Sequence, residues 1–151
     1  MKEVLIVSDN KNYKAGDIGL FDELSNYSFS HPQLKMVIPG KVFLGEKLET
    51  SGVEVSFQIM SSKMKIPFLH SHRENEELYI FLKGEGEFQV DGNFFRVKEG
   101  SVIKVSPEGK RSWRNTSEKP LILMVIQTRQ GSLNHFNVSD GFPVEDKITW
   151  E

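Results

Sequence analysis

Between about residue 40 and residue 128 the chain reverses direction every several residues, which leaves room for short strands and little else. The turn signals are Gly84-Glu85-Gly86, Asp91-Gly92, Lys98-Glu99-Gly100 and Pro107-Glu108-Gly109. Asp91-Gly92 is the sharpest of them, because both central positions of the favoured two-residue hairpin turn need positive φ. Between the turns the residues alternate. Val53, Val55, Phe57 and Ile59 interleave with Glu54, Ser56 and Gln58, the period of a strand with one buried face. Further strands are predicted at Leu78 to Lys83, Glu87 to Val90, Asn93 to Val97, Ser101 to Val105 and Ser112 to Asn115. The apolar run Leu121 to Ile126 is long enough for a helix, but its branched residues and the preceding Pro120 favour a buried strand. Many short strands joined this way predict an all-β fold, an antiparallel sandwich or closed barrel.

The 151 residues fit one domain with a single sizeable core. We expect an N-terminal arm (1–44), a barrel (45–128) and a C-terminal tail (129–151), with the two ends wrapping the barrel. Residues 8 to 39 are rich in Asn, Ser, Asp and Gly, with a short helix possible at Asp22-Glu23-Leu24. The Val4 to Val7 run either adds a strand to a partner's sheet in a homodimer or forms an edge strand of its own barrel. That run is too short for a signal-peptide core, and no segment approaches the roughly 20 apolar residues of a membrane span, so a cytoplasmic protein with no membrane partner is expected. A net charge of −2 gives no electrostatic case for nucleic acid. The chain has no cysteine, which removes disulfides, thiolate ligands and thiol nucleophiles and leaves His, Asp and Glu as the strong metal ligands.

Chemistry concentrates in His70-Ser71-His72-Arg73-Glu74-Asn75-Glu76-Glu77. On extended backbone residues two apart face the same side, so His70 and His72 project together. Glu77 opens the next strand and can add a carboxylate from the neighbouring position. Two imidazoles and a carboxylate form the facial triad associated with non-haem Fe(II), and Mn, Ni, Zn or Co also suit it. A lone histidine is usually a solvated or core residue, and Glu76-Glu77 alone would be a surface pair. The conjunction carries the argument. There is no serine-nucleophile motif, phosphate-binding glycine loop or dinucleotide fingerprint.

This stretch resembles the first motif of the cupin superfamily: HxH, three or four residues, Glu, six residues, Gly. His72, four residues, Glu77, six residues and Gly84 match it in register. The resemblance to this family, and within it to small single-domain members with a conserved barrel, implies a double-stranded β-helix, or jelly roll. It also implies metal-ligand roles for His70, His72 and Glu77. Met64 stands where the family motif usually has glycine, which puts the turn before the histidines in doubt.

The second motif departs further. Gly100 begins it, Pro107-Glu108-Gly109 comes one residue late, and Asn115 closes it. Counting back from Asn115 puts Arg111 where the family has a fourth ligand, a histidine; counting forward from Gly109 puts Ser112 there. A guanidinium has no free lone pair for a metal and offers a planar fork of donors for an anion. If it points inward, either a three-ligand ion keeps open positions beside an anion held by Arg111, or Arg111 pairs with Glu77 and the site is metal-free. If it points outward, it is a rim residue. Tyr79, Trp113 and Asn115 are candidates for lining a substrate pocket with Arg111, although core packing is the commoner fate of such aromatics. His135, in the tail, is a distant candidate for the missing ligand, and His31, before Pro32, is assigned no role.

The reading is therefore a small protein that binds a divalent metal ion and a small, anionic molecule in its barrel, with metal-dependent oxygenation or isomerisation among the reactions left open. The alternatives are a metal-free small-molecule binder in which Arg111 replaces the ion, and a dimeric scaffold. Whether the protein is an enzyme is left open at this point.

Overall fold

A computed structural model describes residues 1–150. Two sheets face each other. The larger contains β5 (Lys41–Phe43), β6 (Glu54–Met60), β7 (Asn75–Lys83), β10 (Val102–Val105) and β12 (Leu121–Arg129) in the order β10-β7-β12-β6-β5. The smaller is built from β8 (Glu85–Val90), β9 (Asn93–Lys98) and β11 (Arg111–Asn115) in the order β11-β8-β9. All pairings are antiparallel. The residues between the sheets form the main core: Met60, Tyr79, Phe81, Phe88, Val97, Val105, Trp113, Leu121, Leu123 and Val125. The chain is all-β, as expected, and Leu121 to Arg129 is a strand paired on both sides, to β6 and to β7. Burial of branched side chains on both faces of that central strand explains its unbroken apolar pattern.

The turns follow their chemistry. Asp91 (φ 51°) and Gly92 (φ 82°) both adopt the positive φ that joins β8 to β9. Gly84 (φ 86°) ends β7, and a Cβ there would lie 2.4 Å from the Pro120 carbonyl oxygen. Gly84→Ala is therefore expected to lose at least about 2 kcal/mol of stability, since it combines left-handed strain with a backbone clash. A urea titration checks this; an unchanged midpoint would show that the strand-end geometry is not required. In the turn where Met64 replaces the family glycine, the left-handed position is taken by Lys63 (φ 59°), and Met64 N–H bonds Ser61 O at 3.1 Å.

The arm differs from expectation. Val4 to Val7 does not join the large sheet of its own chain. Leu5 to Asn10 forms β1, which pairs with β2 (Tyr13–Asp17) in a separate hairpin. Phe21–Asn26 is a 3-10 helix, close to the short helix anticipated, and β3 (Ser28–His31) pairs with β4 (Met36–Pro39) in a second hairpin. Val4, Leu24 and Tyr27 of the arm cover Val42, Ile59 and Ile122 on the outer face of the large sheet. That cover turns β6 over. Its apolar residues Phe57 and Ile59 serve the arm, while Ser56 and Gln58 are buried on the inner face. Among the described residues the tail has no strand beyond β12, and its apolar residues Phe136, Phe142 and Trp150 are exposed, so these residues do not pack onto the barrel.

Candidate metal centre

Glu77 is the third residue of β7, one strand in from the edge of the large sheet, and faces inward with Tyr79 and Phe81. His70 and His72 lie on extended backbone just before β7 and not on a regular strand. His70 is fastened to β11 by a single antiparallel bridge in which His70 and Arg111 exchange two N–H···O bonds of 3.1 Å, and His72 N–H bonds Pro107 O at 2.8 Å. The expected convergence is present. One ligand atom from each of His70, His72 and Glu77 lies within 4.8 Å of the others, and the imidazole centroids are 5.3 Å apart.

The carboxylate is divided between two sets of partners. Oε1 faces His72 Nε2 at 3.0 Å. Oε2 accepts the Tyr79 hydroxyl, stands 3.1 Å from Arg111 Nε, and is 3.5 Å from His70 Nε2. Burial alone would raise the Glu77 pKa. The close imidazoles of His70 and His72, together with the Tyr79 hydroxyl, outweigh it and hold the carboxyl well below the ordinary range. Tyr79 moves the opposite way: burial, then the adjacent Glu77 charge, pushes its hydroxyl well above 10.

Arg111 points inward, which settles the register left open by the second motif. It is fully buried (0 % exposed), and Ser112 instead donates to Ile66 O at 2.9 Å. The guanidinium does not line the cavity. Its Nη1 donates to Gly109 O at 2.7 Å, Pro107 O at 3.2 Å and His70 O at 3.4 Å, while its Nε sits against Glu77 without an aligned hydrogen bond. It backs the acid and anchors the loop that carries the histidines. Asn115 is also committed elsewhere: its Nδ2 donates to Met60 O, Ser61 O and Lys119 O, tying β11 to the end of β6. Tyr79 acts on Glu77 from behind. Of the four candidate pocket residues only Trp113 lines the cavity. His135 is exposed in the tail and is not in the cluster.

A cavity of about 560 Å³ opens beside the cluster, lined by His70, His72 and Glu77 together with Phe68 and Trp113. Three further lining residues had no signal in the linear pattern: His31, Lys41 and Gln58. His31 accepts backbone N–H bonds from Gln33 and Leu34 at Nδ1, both 3.2 Å, and comes from the β3–β4 hairpin, far from the motif in sequence. Lys41 and Gln58 come from the paired strands β5 and β6. Burial pulls the Lys41 pKa from 10.5 down to about 8, against smaller raising effects of Glu77 and Glu54. Its charge therefore disfavours the folded state below about pH 8, and the penalty fades between about 8 and 10.5 as the folded form sheds its proton first. Lys41→Met is expected to be more stable than the parent by about 3 kcal/mol at pH 7, with the gap closing above pH 8. Chemical denaturation of both proteins at pH 7 and pH 10 checks this; a constant gap would remove the buried-charge explanation.

The cavity, the paired imidazoles and the inward acid are the features of the family whose first motif the sequence resembles. A cupin protein from Bacteroides fragilis superposes with a TM-score of 0.66 at 32% identity, over 76% of this chain and 98% of that one. This chain is a cupin. The Cupin domain family model (Cupin_2) matches residues 57–127, the span from β6 to β12. An uncharacterized protein of Methanocaldococcus jannaschii is 34% identical over 56 residues, 37% of this chain and 45% of that protein, so the chain spans about half the length of this relative. A Thermotoga maritima structure described as a predicted oxalate decarboxylase shares the fold at 21% identity with a TM-score of 0.57, over 68% of this cupin and 90% of that chain.

The donor set of this cupin fits a metal ion. His72 Nε2 is buried and makes no aligned hydrogen bond although Glu77 Oε1 is 3.0 Å away, and two imidazoles with a carboxylate supply three donor atoms of the kind such an ion takes. Among the described residues no helix is long and apolar enough to cross a membrane.

Proposed function

We propose that this cupin holds a divalent metal ion through His70, His72 and Glu77 and binds a small anionic molecule in the cavity beside it. The observation that carries the reading is the convergence of three ligand atoms within 4.8 Å at the wall of a 560 Å³ cavity. Iron, manganese, nickel, zinc or cobalt suits this donor set. When bound, the ion supplies Lewis-acid polarisation of a ligand oxygen or, if it is iron, an oxygen-binding centre.

The chain's own residues set the terms. Tyr79 and Arg111 hold Oε2 and leave Oε1 turned toward His72, so Glu77 offers one oxygen and cannot swing away. A divalent ion beside the Arg111 guanidinium leaves the site with excess positive charge after Glu77 is counted, and repulsion in a poorly screened interior is on the order of several kcal/mol. An anionic ligand relieves it. The substrate role first assigned to Arg111 thus becomes an indirect one: it steadies Glu77 and, through the field, favours an anion. Oxygenation and isomerisation are both compatible with this arrangement.

The Arg111–Glu77 ion pair of 3.1 Å also favours a second reading, in which the guanidinium replaces the ion and the barrel binds its ligand without metal. Metal analysis separates the two. Protein purified without chelators, or stripped and reloaded with Mn(II), is expected to hold about one ion per chain. Occupancy near zero after reloading contradicts the metal reading and leaves the metal-free one.

A further inference from the structure

The cavity has a second polar wall that the metal cluster does not use. Gln58 is fully buried (0 % exposed) and lines the cavity, yet neither Nε2 nor Oε1 has a hydrogen-bond partner among the described residues. A buried amide left unpaired is costly, and a native fold keeps one where something else completes it. Across the strand pair Lys41 stands directly opposite Gln58, so both side chains leave the same face of the sheet. Lys41 is itself buried and lines the cavity, with its ammonium 5.1 Å over the Phe43 ring. Continuing along that row, Gln58 faces Leu123, and Leu123 faces Phe81, so the row itself carries no acid; Glu77 and Glu54 act on the ammonium from outside it, and among the described residues neither forms an ion pair with it. The acid of this wall, Glu77, lies on β7 and is engaged by His70, His72, Tyr79 and Arg111.

We infer that Lys41 and Gln58 form a carboxylate-recognition subsite for a sugar acid, a hydroxylated monocarboxylate whose far end reaches the metal cluster. The chemistry selects that class. Lys41 supplies one positive charge for one carboxylate, and Gln58 Nε2–H donates to the same group. Gln58 Oε1 needs a donor, which a hydroxyl beside the carboxylate provides and the carboxylate alone does not. A neutral sugar leaves Lys41 unmatched, and a phosphate dianion brings more charge than one ammonium offsets. Phe29, Phe43 and Trp113 give the cavity flat apolar walls for the C–H faces of such a ring. The Gln58 amide is sealed from water as it stands, so binding requires a neighbouring side chain of the cavity wall to move aside.

The far end of this ligand rests on the metal reading above; the Lys41–Gln58 end does not. Titration calorimetry of chelator-stripped and Mn(II)-loaded protein with D-glucuronate, D-glucose and D-glucose 6-phosphate tests it. Glucuronate is expected to bind at least about tenfold tighter than either other probe. Lys41→Met is expected to lose about tenfold or more of the glucuronate affinity and Gln58→Leu several-fold, as for charge-assisted and neutral hydrogen bonds. Both variants should keep Mn(II) affinity within about twofold, and Lys41→Arg, which retains the charge, should keep most of the glucuronate affinity. Glucuronate binding that ignores Lys41→Met, a preference for glucose or glucose 6-phosphate, or no glucuronate binding by the loaded parent each overturns the inference. Loss of Mn(II) binding with Lys41-dependent glucuronate binding retained overturns the metal reading alone.

Discussion

His72→Ala is expected to lower metal affinity by at least about 100-fold while barely changing the stability of the metal-free protein. Even the outer partners of metal ligands are worth about 10- to 100-fold in affinity, so a direct ligand is worth no less. The stability half follows from what His72 touches. Its backbone N–H, which bonds Pro107 O at 2.8 Å, survives the substitution, and its side chain is a quarter exposed with a ring nitrogen that makes no hydrogen bond. Removing it deletes a ligand without opening a core cavity. Calorimetric titration with Mn(II), with thermal unfolding of the stripped proteins beside it, reads both quantities. An affinity within a few-fold of the parent would remove His72 from the ligand set. A collapse of the stripped protein would make His72 a structural residue instead.

Arg111→Met carries the largest expected stability loss, about 3–5 kcal/mol. The guanidinium is fully buried, its Nη1 satisfies carbonyl oxygens of His70, Pro107 and Gly109, and its Nε balances Glu77. Methionine fills similar space but leaves an ionised carboxylate facing only imidazoles and a phenol, and it takes a donor from the Gly109, Pro107 and His70 carbonyls, of which Pro107 O and His70 O keep the backbone N–H bonds of His72 and Arg111. Most of the cost is thus the penalty of abandoned partners, not the intrinsic worth of the pair. That distinction has its own signature. In the double variant Arg111→Met with Glu77→Gln, the combined loss should fall short of the sum of the single losses by 1 kcal/mol or more, as expected for coupled neighbours. Additive losses in urea unfolding would show that Arg111 and Glu77 act independently.

The fold and the ligand cluster were legible because both are written locally. Turn residues mark the ends of strands, and His70, His72 and Glu77 fall within eight consecutive residues whose extended backbone aims them together. The second wall of the cavity was not, since Lys41 and Gln58 meet only through pairing of β5 with β6, and His31 arrives on a hairpin of the arm. The alternation in β6 gives the period of a strand but not which of its sides faces the cavity, because the arm supplies a second core outside the sheet. A barrel that keeps a cavity can afford polar residues inside, and Ser56 and Gln58 are those residues. Arg111 shows a third limit. A one-residue slip in the second motif left Arg111 and Ser112 equivalent on paper, and only the bridge between His70 and Arg111 fixes which of them turns inward.

The most direct measurement is an anomalous difference map from crystals of the Mn(II)-loaded protein. One peak per chain is expected at coordination distance from His70 Nε2, His72 Nε2 and Glu77 Oε1, with Arg111 still behind Oε2. A cavity wall without that peak, in crystals whose manganese content is established, would contradict the account.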